Sequence, residues 1–299
     1  MIHSSNFGII SILSLSMILT ACGSDSTENG GSLNLNITDA PVDSAAKVVV
    51  SFSGVSIKPE SGPAYDIDFV DDNGSPTIKT IDLLSQQGSN SEPLLVNEAL
   101  EAGHYNWMRL KVKSSITSTD SYIELEDGSQ HPLYVPSGNQ TGLKLNQGFD
   151  ITDGGSVSLT IDFDLRKSVL SPNNNSEAYK LKPTLRIVNN DNMGHISGIV
   201  GSVSLADAAC TKTDYSVYVF AGENIIADDI DGLDAEPVST ALLSESFEYE
   251  VGFLDEGTYT IALTCQAEDD NIETDDAINF IGTSNVTVNA GTTTTYNFD

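Results

Sequence analysis

From Leu33 onward, apolar residues recur at every second position in long stretches of this chain, and a period of two marks strands rather than helices. Leu33, Leu35 and Ile37 alternate with polar residues. So do Val157, Leu159, Ile161 and Phe163, and later Tyr215, Val217 and Val219. Asp72-Asn73-Gly74, Asp127-Gly128 and Asp153-Gly154-Gly155 separate such runs with residues that tight turns favour. This spacing predicts an all-β fold built of antiparallel β-sandwiches. The one helix expected is short, Glu92 to Glu101, ahead of Gly103.

One signature occurs twice. Leu100-Glu101-Ala102-Gly103-His104-Tyr105, with Leu110 beyond it, reappears as Leu254-Asp255-Glu256-Gly257-Thr258-Tyr259, with Leu263 beyond it. In each, glycine permits a tight turn, and tyrosine enters the next strand, where its hydroxyl can reach backbone upstream as in a tyrosine corner. An alternating strand then finishes on Phe163-Asp164 and again on Phe298-Asp299. Two related sandwiches in tandem, residues 33–190 and 191–299, account for the repetition. The polar stretch Asn189-Asn190-Asp191-Asn192 marks the boundary, after a strand expected from Lys180 to Val188.

Charge separates the two. All 13 basic residues lie at or before Lys212, and the formal net charge of the chain is −30. Residues 33–190 carry 20 acids and 12 bases, whereas residues 191–299 carry 21 acids and one base. Such a field repels nucleic acid phosphates and anionic headgroups, attracts cations or a basic protein, and keeps an exported protein soluble.

Ahead of the β sequence, an apolar run from Phe7 to Leu19 ends in Leu19-Thr20-Ala21-Cys22. The run is too short to span a bilayer. With its small-residue ending it reads as a signal peptide, residues 1–21, closed by a lipobox. The segment resembles the leaders of bacterial lipoproteins. That resemblance implies diacylation of the Cys22 thiol, cleavage before Cys22 and acylation of the new amino group. Several acyl chains exceed what stable membrane anchoring requires. Residues 22–32 read as a flexible polar tether. Gly23 and Ser24 lack the Asp that commonly retains such proteins at the inner membrane, so by analogy the outer membrane is expected, with the periplasmic or exterior face left open. In an oxidising compartment the two other cysteines, Cys210 and Cys265, are expected to pair. A bridge closing a loop of about 55 residues contributes roughly 4 kcal/mol in the chain-entropy model.

Chemistry-bearing motifs are sparse. The histidines (His3, His104, His131 and His195) lie in unrelated segments, and no Gly-x-Ser-x-Gly elbow, His-x-x-x-His or Cys-x-x-Cys occurs. No catalytic residue is assigned. Carboxylates are the dense resource. Asp228, Asp229, Asp231 and Asp234 surround Gly232, and an Asp-rich turn is a usual donor to calcium, although neither the spacing nor the flanks are those of an EF-hand. Glu268-Asp269-Asp270, with Glu273, Asp275 and Asp276, forms a second cluster that can cooperate if the two loops meet. Ca²⁺ is the one cofactor considered; the bland alternative is a pair of solvated loops. Asp39 and Asp43 flank Ala40-Pro41 and are expected to cap turn backbone. Trp107, the only tryptophan, shares its strand face with Tyr105, Arg109 and Lys111, opposite Met108, Leu110 and Val112. It is either a sugar-stacking or cation–π surface, or a ring packed under a loop.

Residues 33–188 resemble a bacterial lipoprotein family known only as domain of unknown function 4382. The matching pieces are Ile37-Thr38-Asp39-Ala40-Pro41-Val42-Asp43, Val48 to Lys58, Ile81-Asp82-Leu83-Leu84, Leu100 to Val112, Ile161-Asp162-Phe163-Asp164-Leu165 and Tyr179-Lys180-Leu181-Lys182-Pro183. Gly194 to Asp299 resembles the transthyretin-like carboxypeptidase regulatory-like domain, through Gly198-Ile199-Val200 and Leu254 to Leu263. The resemblances imply immunoglobulin- or transthyretin-like sandwiches and name no reaction. The function expected is that of a non-enzymatic binding or structural module anchored to a membrane by lipid, with an envelope protein or a glycan as partner. Calcium-dependent adhesion and a carboxylate-based glycan-acting enzyme are the alternatives.

Overall fold

The computed structural model describes Met1 and residues 30–40, 45–136, 142–172, 177–210 and 212–299. The signal peptide, Cys22 and Asp43 therefore lie outside the described residues, as does most of the tether.

The protein is all-β, as its alternation demands. In the first half, a four-stranded sheet runs in the order Leu185–Asn189, Ser156–Asp164, Gly30–Ala40, Glu92–Glu101. Facing it is a ten-stranded sheet centred on Ala45–Pro59 and Gly103–Lys113. The alternating Leu33, Leu35, Ile37, Ile161 and Phe163 point between the two sheets and are fully buried. There they meet Phe52, Val55, Ile57 and Met108 of the large sheet, and the Phe52 and Phe163 rings pack edge to face at 6.5 Å. The second half repeats the layout on a smaller scale. A three-stranded sheet (Glu248–Asp255, Met193–Ile199, Thr293–Thr295) covers a four-stranded one (Ser239–Leu242, Ser216–Ala221, Gly257–Thr264, Phe280–Val288). Ile196, Val217, Val219, Val251, Ile261 and Leu263 fill the space between. A single 3₁₀ turn, Asn190–Asn192, joins the halves.

Both copies of the repeated signature sit at corners where the chain leaves one sheet for the opposing one. Glu92–Glu101 belongs to the small sheet and Gly103–Lys113 to the large one; Glu248–Asp255 and Gly257–Thr264 are divided in the same way. At each corner the tyrosine hydroxyl donates to the carbonyl four residues upstream, Tyr105 to Glu101 at 3.0 Å and Tyr259 to Asp255 at 2.7 Å. Each corner buries its leading leucine, Leu100 or Leu254. The opening strand of each half runs parallel to a late one, Gly30–Ala40 beside Ser156–Asp164 and Met193–Ile199 beside Thr293–Thr295, so the sandwiches are not purely antiparallel.

Four expectations are corrected. Glu92–Glu101 is a strand, not a helix; register shifts against Leu33–Asn36 leave the consecutive Leu94 and Leu95 both buried, which erases the period of two. Gly30–Ser32 belong to the first strand instead of the tether. There a Cβ on Gly31 would lie 2.6 Å from the carbonyls of Thr152 and Gly155, so glycine permits the close backbone approach. The segment 180–188 splits around Pro183 into Tyr179–Leu181 in the large sheet and Leu185–Asn189 in the small one. Tyr105 leaves the face of Trp107: a register shift between Lys58 and Pro59 turns its ring into the core, where it stacks on Phe149 at 5.0 Å.

Candidate functional site

The densest polar arrangement lies where the two halves meet, and it is organised by two neighbouring cations. Ser156–Asp164 ends in a single helical turn, Leu165–Ser168, capped by the Asp164 carboxylate, which accepts the Lys167 N–H at 3.1 Å. The turn projects Arg166 and Lys167 into the acidic second half. Arg166 is buried. Its guanidinium donates to the Ala267 carbonyl at 2.5 Å and lies 5.1 Å from the centre of the Tyr218 ring. Lys167 donates to the Pro237 carbonyl at 2.5 Å and pairs with Glu236 at 3.0 Å. Backbones also touch, since a Cβ on Gly252 would collide with the Gly88 carbonyl. Sequence reading overlooked Arg166 and Lys167. Their available signal was an adjacent pair of cations at a strand end in a chain whose other half holds almost none.

Arg166 touches the system that ties the two acidic loops together. Tyr218 donates its hydroxyl to Asp270 Oδ2 at 2.5 Å, and Asp270 Oδ1 accepts the Ile230 N–H at 3.0 Å. Asp229, buried at 1% exposure, accepts the Asp276 N–H at 2.5 Å. The loops expected from sequence therefore do meet. Among the described residues, carboxylate oxygens of Asp229, Asp270 and Asp276 lie within 4.8 Å of one another, as do those of Asp229, Asp231 and Asp275. Asp228 and Asp234 belong to neither group. Each gathered carboxylate but Asp275 accepts a backbone N–H: Asp231 takes that of Leu233, and Asp276 takes that of Asn271. The arrangement works as a tie between loops. Burial raises the Asp270 carboxyl above its ordinary value, while the Tyr218 hydroxyl, the Ile230 N–H and the Arg166 charge pull it back. Burial also raises Asp228.

Three acids of the first half lie beside the same seam. Burial, then the charge of Arg186, act in opposite senses on Asp162; burial prevails and its carboxyl is raised, although Arg186 Nε donates to it at 2.7 Å. Asp164 is pushed up to about 6 by burial, against the pull of Lys167. Asp39 is only 4% exposed, and neither of its oxygens accepts a hydrogen bond. Burial, with the charges of Asp162 and Asp164, holds it well above the usual range; the Leu165 N–H opposes this without reaching hydrogen-bond geometry. The turn-capping role expected of Asp39 is thus not realised. It sits on the buried side of a strand end, and with Asp162, Thr240 and Gly252 it lines a cavity of about 30 Å³, which has room for a water or two and no organic ligand. Thr240 Oγ1 is likewise buried without a partner.

Cys210 and Cys265 are bridged, which fastens the segment after Ser202–Leu205 to the end of the strand Gly257–Thr264. Trp107 is half-buried on the outer face of the large sheet. The Arg109 guanidinium lies 4.8 Å and the Lys144 ammonium 5.4 Å from its ring centre. Lys111, expected as the second cation, is instead held by Asp66 at 2.9 Å and Asp68 at 2.6 Å. His104 pairs with Asp150 at 2.9 Å on the exposed surface.

A family model described as Domain of unknown function (DUF4382) matches residues 30–183. The chain belongs to that family. The DUF4382 match covers the first half, including the Leu165–Ser168 turn, and ends ahead of the strand Leu185–Asn189. No curated protein matches the chain. Among solved structures it is similar to the Bacillus anthracis TIE protein, at 10% identity and a TM-score of 0.23 over 90% of this chain and 34% of that one. It is also similar to GBS52, the minor pilin of Streptococcus agalactiae, at 9% identity and a TM-score of 0.22 over 89% of this chain and 94% of that one. BcpA, the major pilin subunit of Bacillus cereus, gives 10% identity and a TM-score of 0.21 over 90% and 69%. The chain spans about a third of the length of the TIE protein.

Proposed function

We propose that this DUF4382 protein is a lipid-anchored lipoprotein of the bacterial envelope, whose β body is a non-catalytic binding or structural module. The observation that carries the reading is the seam. Arg166, buried against the second half, and the half-buried Lys167 beside it lock two sandwiches into one body, an arrangement suited to presenting a surface at a fixed attitude. The Leu19-Thr20-Ala21-Cys22 ending of the leader supports the anchor, with acyl chains on Cys22 docking the body at a membrane, the outer membrane by analogy. The Cys210–Cys265 bridge accords with an oxidising compartment. Envelope proteins or glycans are the partners this placement offers, and nucleic acid is not among them.

The test follows the full chain in cells fed an alkyne-bearing fatty acid. The protein is expected to take up label and to fractionate with membranes, and Cys22→Ser is expected to lose both. Affinity capture with the labelled protein is then expected to retain an envelope component without turning it over. An unmodified Cys22 thiol on a protein found in the cytosol contradicts the reading.

A further inference from the structure

The outer face of the large sheet carries a cationic surface built around the only tryptophan of a chain whose formal net charge is −30. The strand Gly103–Lys113 buries Met108 and Leu110 on its inner side and directs Trp107 and Arg109 outward. The neighbouring strand Leu143–Leu145 repeats the pattern, with Leu143 and Leu145 inward and Lys144 exposed directly opposite Arg109. On the other flank, Lys58 lies directly opposite Trp107. Register alone thus assembles Trp107, Arg109, Lys144 and Lys58 from three adjacent strands.

What sets Arg109 and Lys144 apart is that both lie over one aromatic ring while forming no ion pair among the described residues. Elsewhere in the first half Lys47 pairs with Glu124, Lys111 with Asp66 and Asp68, Lys167 with Glu236, and Arg186 with Asp162. Among the described residues, Arg109 and Lys144 make no ion pair and no hydrogen bond, and Lys58 donates only to the carbonyls of Pro59 and Gly62. The guanidinium rests 4.8 Å from the Trp107 ring centre; its Nε is buried without a partner, and its terminal amino groups make no hydrogen bond among the described residues. In a protein with more than three acids for every base, Lys58, Arg109 and Lys144 gather positive charge on one face, where the neighbouring carboxylates Asp66 and Asp68 are held by Lys111 and Asp66 also feels the charge of Arg109. Over distances shorter than the Debye length of about 8 Å, the local charges dominate. An aromatic face beside a guanidinium fork and an ammonium offers a sugar ring a stacking surface and a carboxylate its charge-assisted partners.

We propose that this face, formed by Trp107, Arg109, Lys144 and Lys58, binds an acidic carbohydrate, a polysaccharide bearing carboxylated sugars. This goes beyond the anchored-module reading and does not depend on it, since the face is complete whether or not Cys22 is acylated. An anionic lipid surface fits less well. Lipid insertion favours several projecting apolar side chains, and here one half-buried ring is surrounded by charge.

Because Trp107 is the sole tryptophan, its fluorescence reports on this face alone. The full chain in non-ionic detergent is titrated with oligogalacturonate, with a neutral β-glucan oligosaccharide and with vesicles containing phosphatidylglycerol. A saturable change of emission with oligogalacturonate is expected, weakened by high salt. The double variant Arg109→Gln, Lys144→Gln is expected to weaken it about tenfold. Lys47→Gln, remote from the face, is expected to leave it unchanged. Should circular dichroism show the double variant misfolded, Lys144→Gln alone, at an exposed position, is expected to show a smaller weakening in the same sense. The proposal is overturned by silence toward oligogalacturonate, by equal affinity for the neutral glucan, by binding that survives loss of the cations, or by a response confined to the vesicles.

Discussion

In the first half, Gly30–Ala40 lies between the corner strand Glu92–Glu101 and the parallel strand Ser156–Asp164; in the second, Met193–Ile199 lies between Glu248–Asp255 and the parallel strand Thr293–Thr295. The strand after the opening one pairs, in each case, with the strand that leaves the corner. The wiring is shared and the means of holding it differ. The first half extends its sheet to ten strands and buries a correspondingly larger core, with bases distributed among its acids. The second has, among the described residues, seven strands in two sheets; it holds almost no bases, and it adds a disulfide. A small core loaded with like charge has less burial to set against chain entropy, so a covalent bridge matters more there.

Breaking the bridge therefore sharpens the contrast most. Replacing Cys210 and Cys265 by serine is expected to cost the second half about 4 kcal/mol. Urea denaturation read by hydrogen exchange in each half should show the loss confined to residues 191–299; an equal loss in both would erase the distinction. Next comes the seam. Arg166→Ala removes a charged donor from the Ala267 carbonyl and a cation from the Tyr218 ring, with an expected cost of about 2–3 kcal/mol. Calorimetry should then resolve two transitions where the wild type shows closer coupling.

Asp39 provides a contrast in pH. Its carboxyl is raised in the fold, so the folded state holds the proton more tightly than the unfolded chain does. Its contribution is harmless below the unfolded value of about 3.9 and becomes destabilising as pH climbs through the folded value. Asp39→Asn is accordingly expected to raise stability at pH 8 by about 1–2 kcal/mol and to change little at pH 4, as measured by thermal melting at both. A gain of the same size at both pH values would sink the electrostatic account. The smallest effect tests the shared corner: Tyr105→Phe and Tyr259→Phe each delete one hydroxyl bond, for about 1 kcal/mol apiece. Similar losses in chemical denaturation keep the corners equivalent, whereas a loss at only one would show that the repeat is one of shape alone.

Much of this comparison was legible from residue order. Alternation from Leu33 to Ile37 and from Val157 to Phe163 marks buried strand faces, and the doubled Leu-acid-x-Gly-x-Tyr marks both corners. The Glu92–Glu101 strand was hidden because its bulged pairing buries Leu94 and Leu95 together, a pattern that mimics helical spacing. Trp107 was placed beside cations correctly in kind, but Lys144 comes from another strand, and strand partners are not written in a single segment. The meeting of the loops around Asp229 and Asp270 is not written in either loop alone, because whether two segments about forty residues apart converge depends on packing. The partners of Arg166, Ala267 and Tyr218, are hidden for a related reason, since they belong to the other half.

Hydrogen exchange across the seam tests the central claim, that two similarly wired sandwiches are docked through Arg166. Peptides covering 164–168 and 266–270 are expected to exchange slowly in the full chain and to speed up together in Arg166→Ala, while both cores stay protected. Rapid exchange of those peptides in the wild type, with both cores intact, would contradict it.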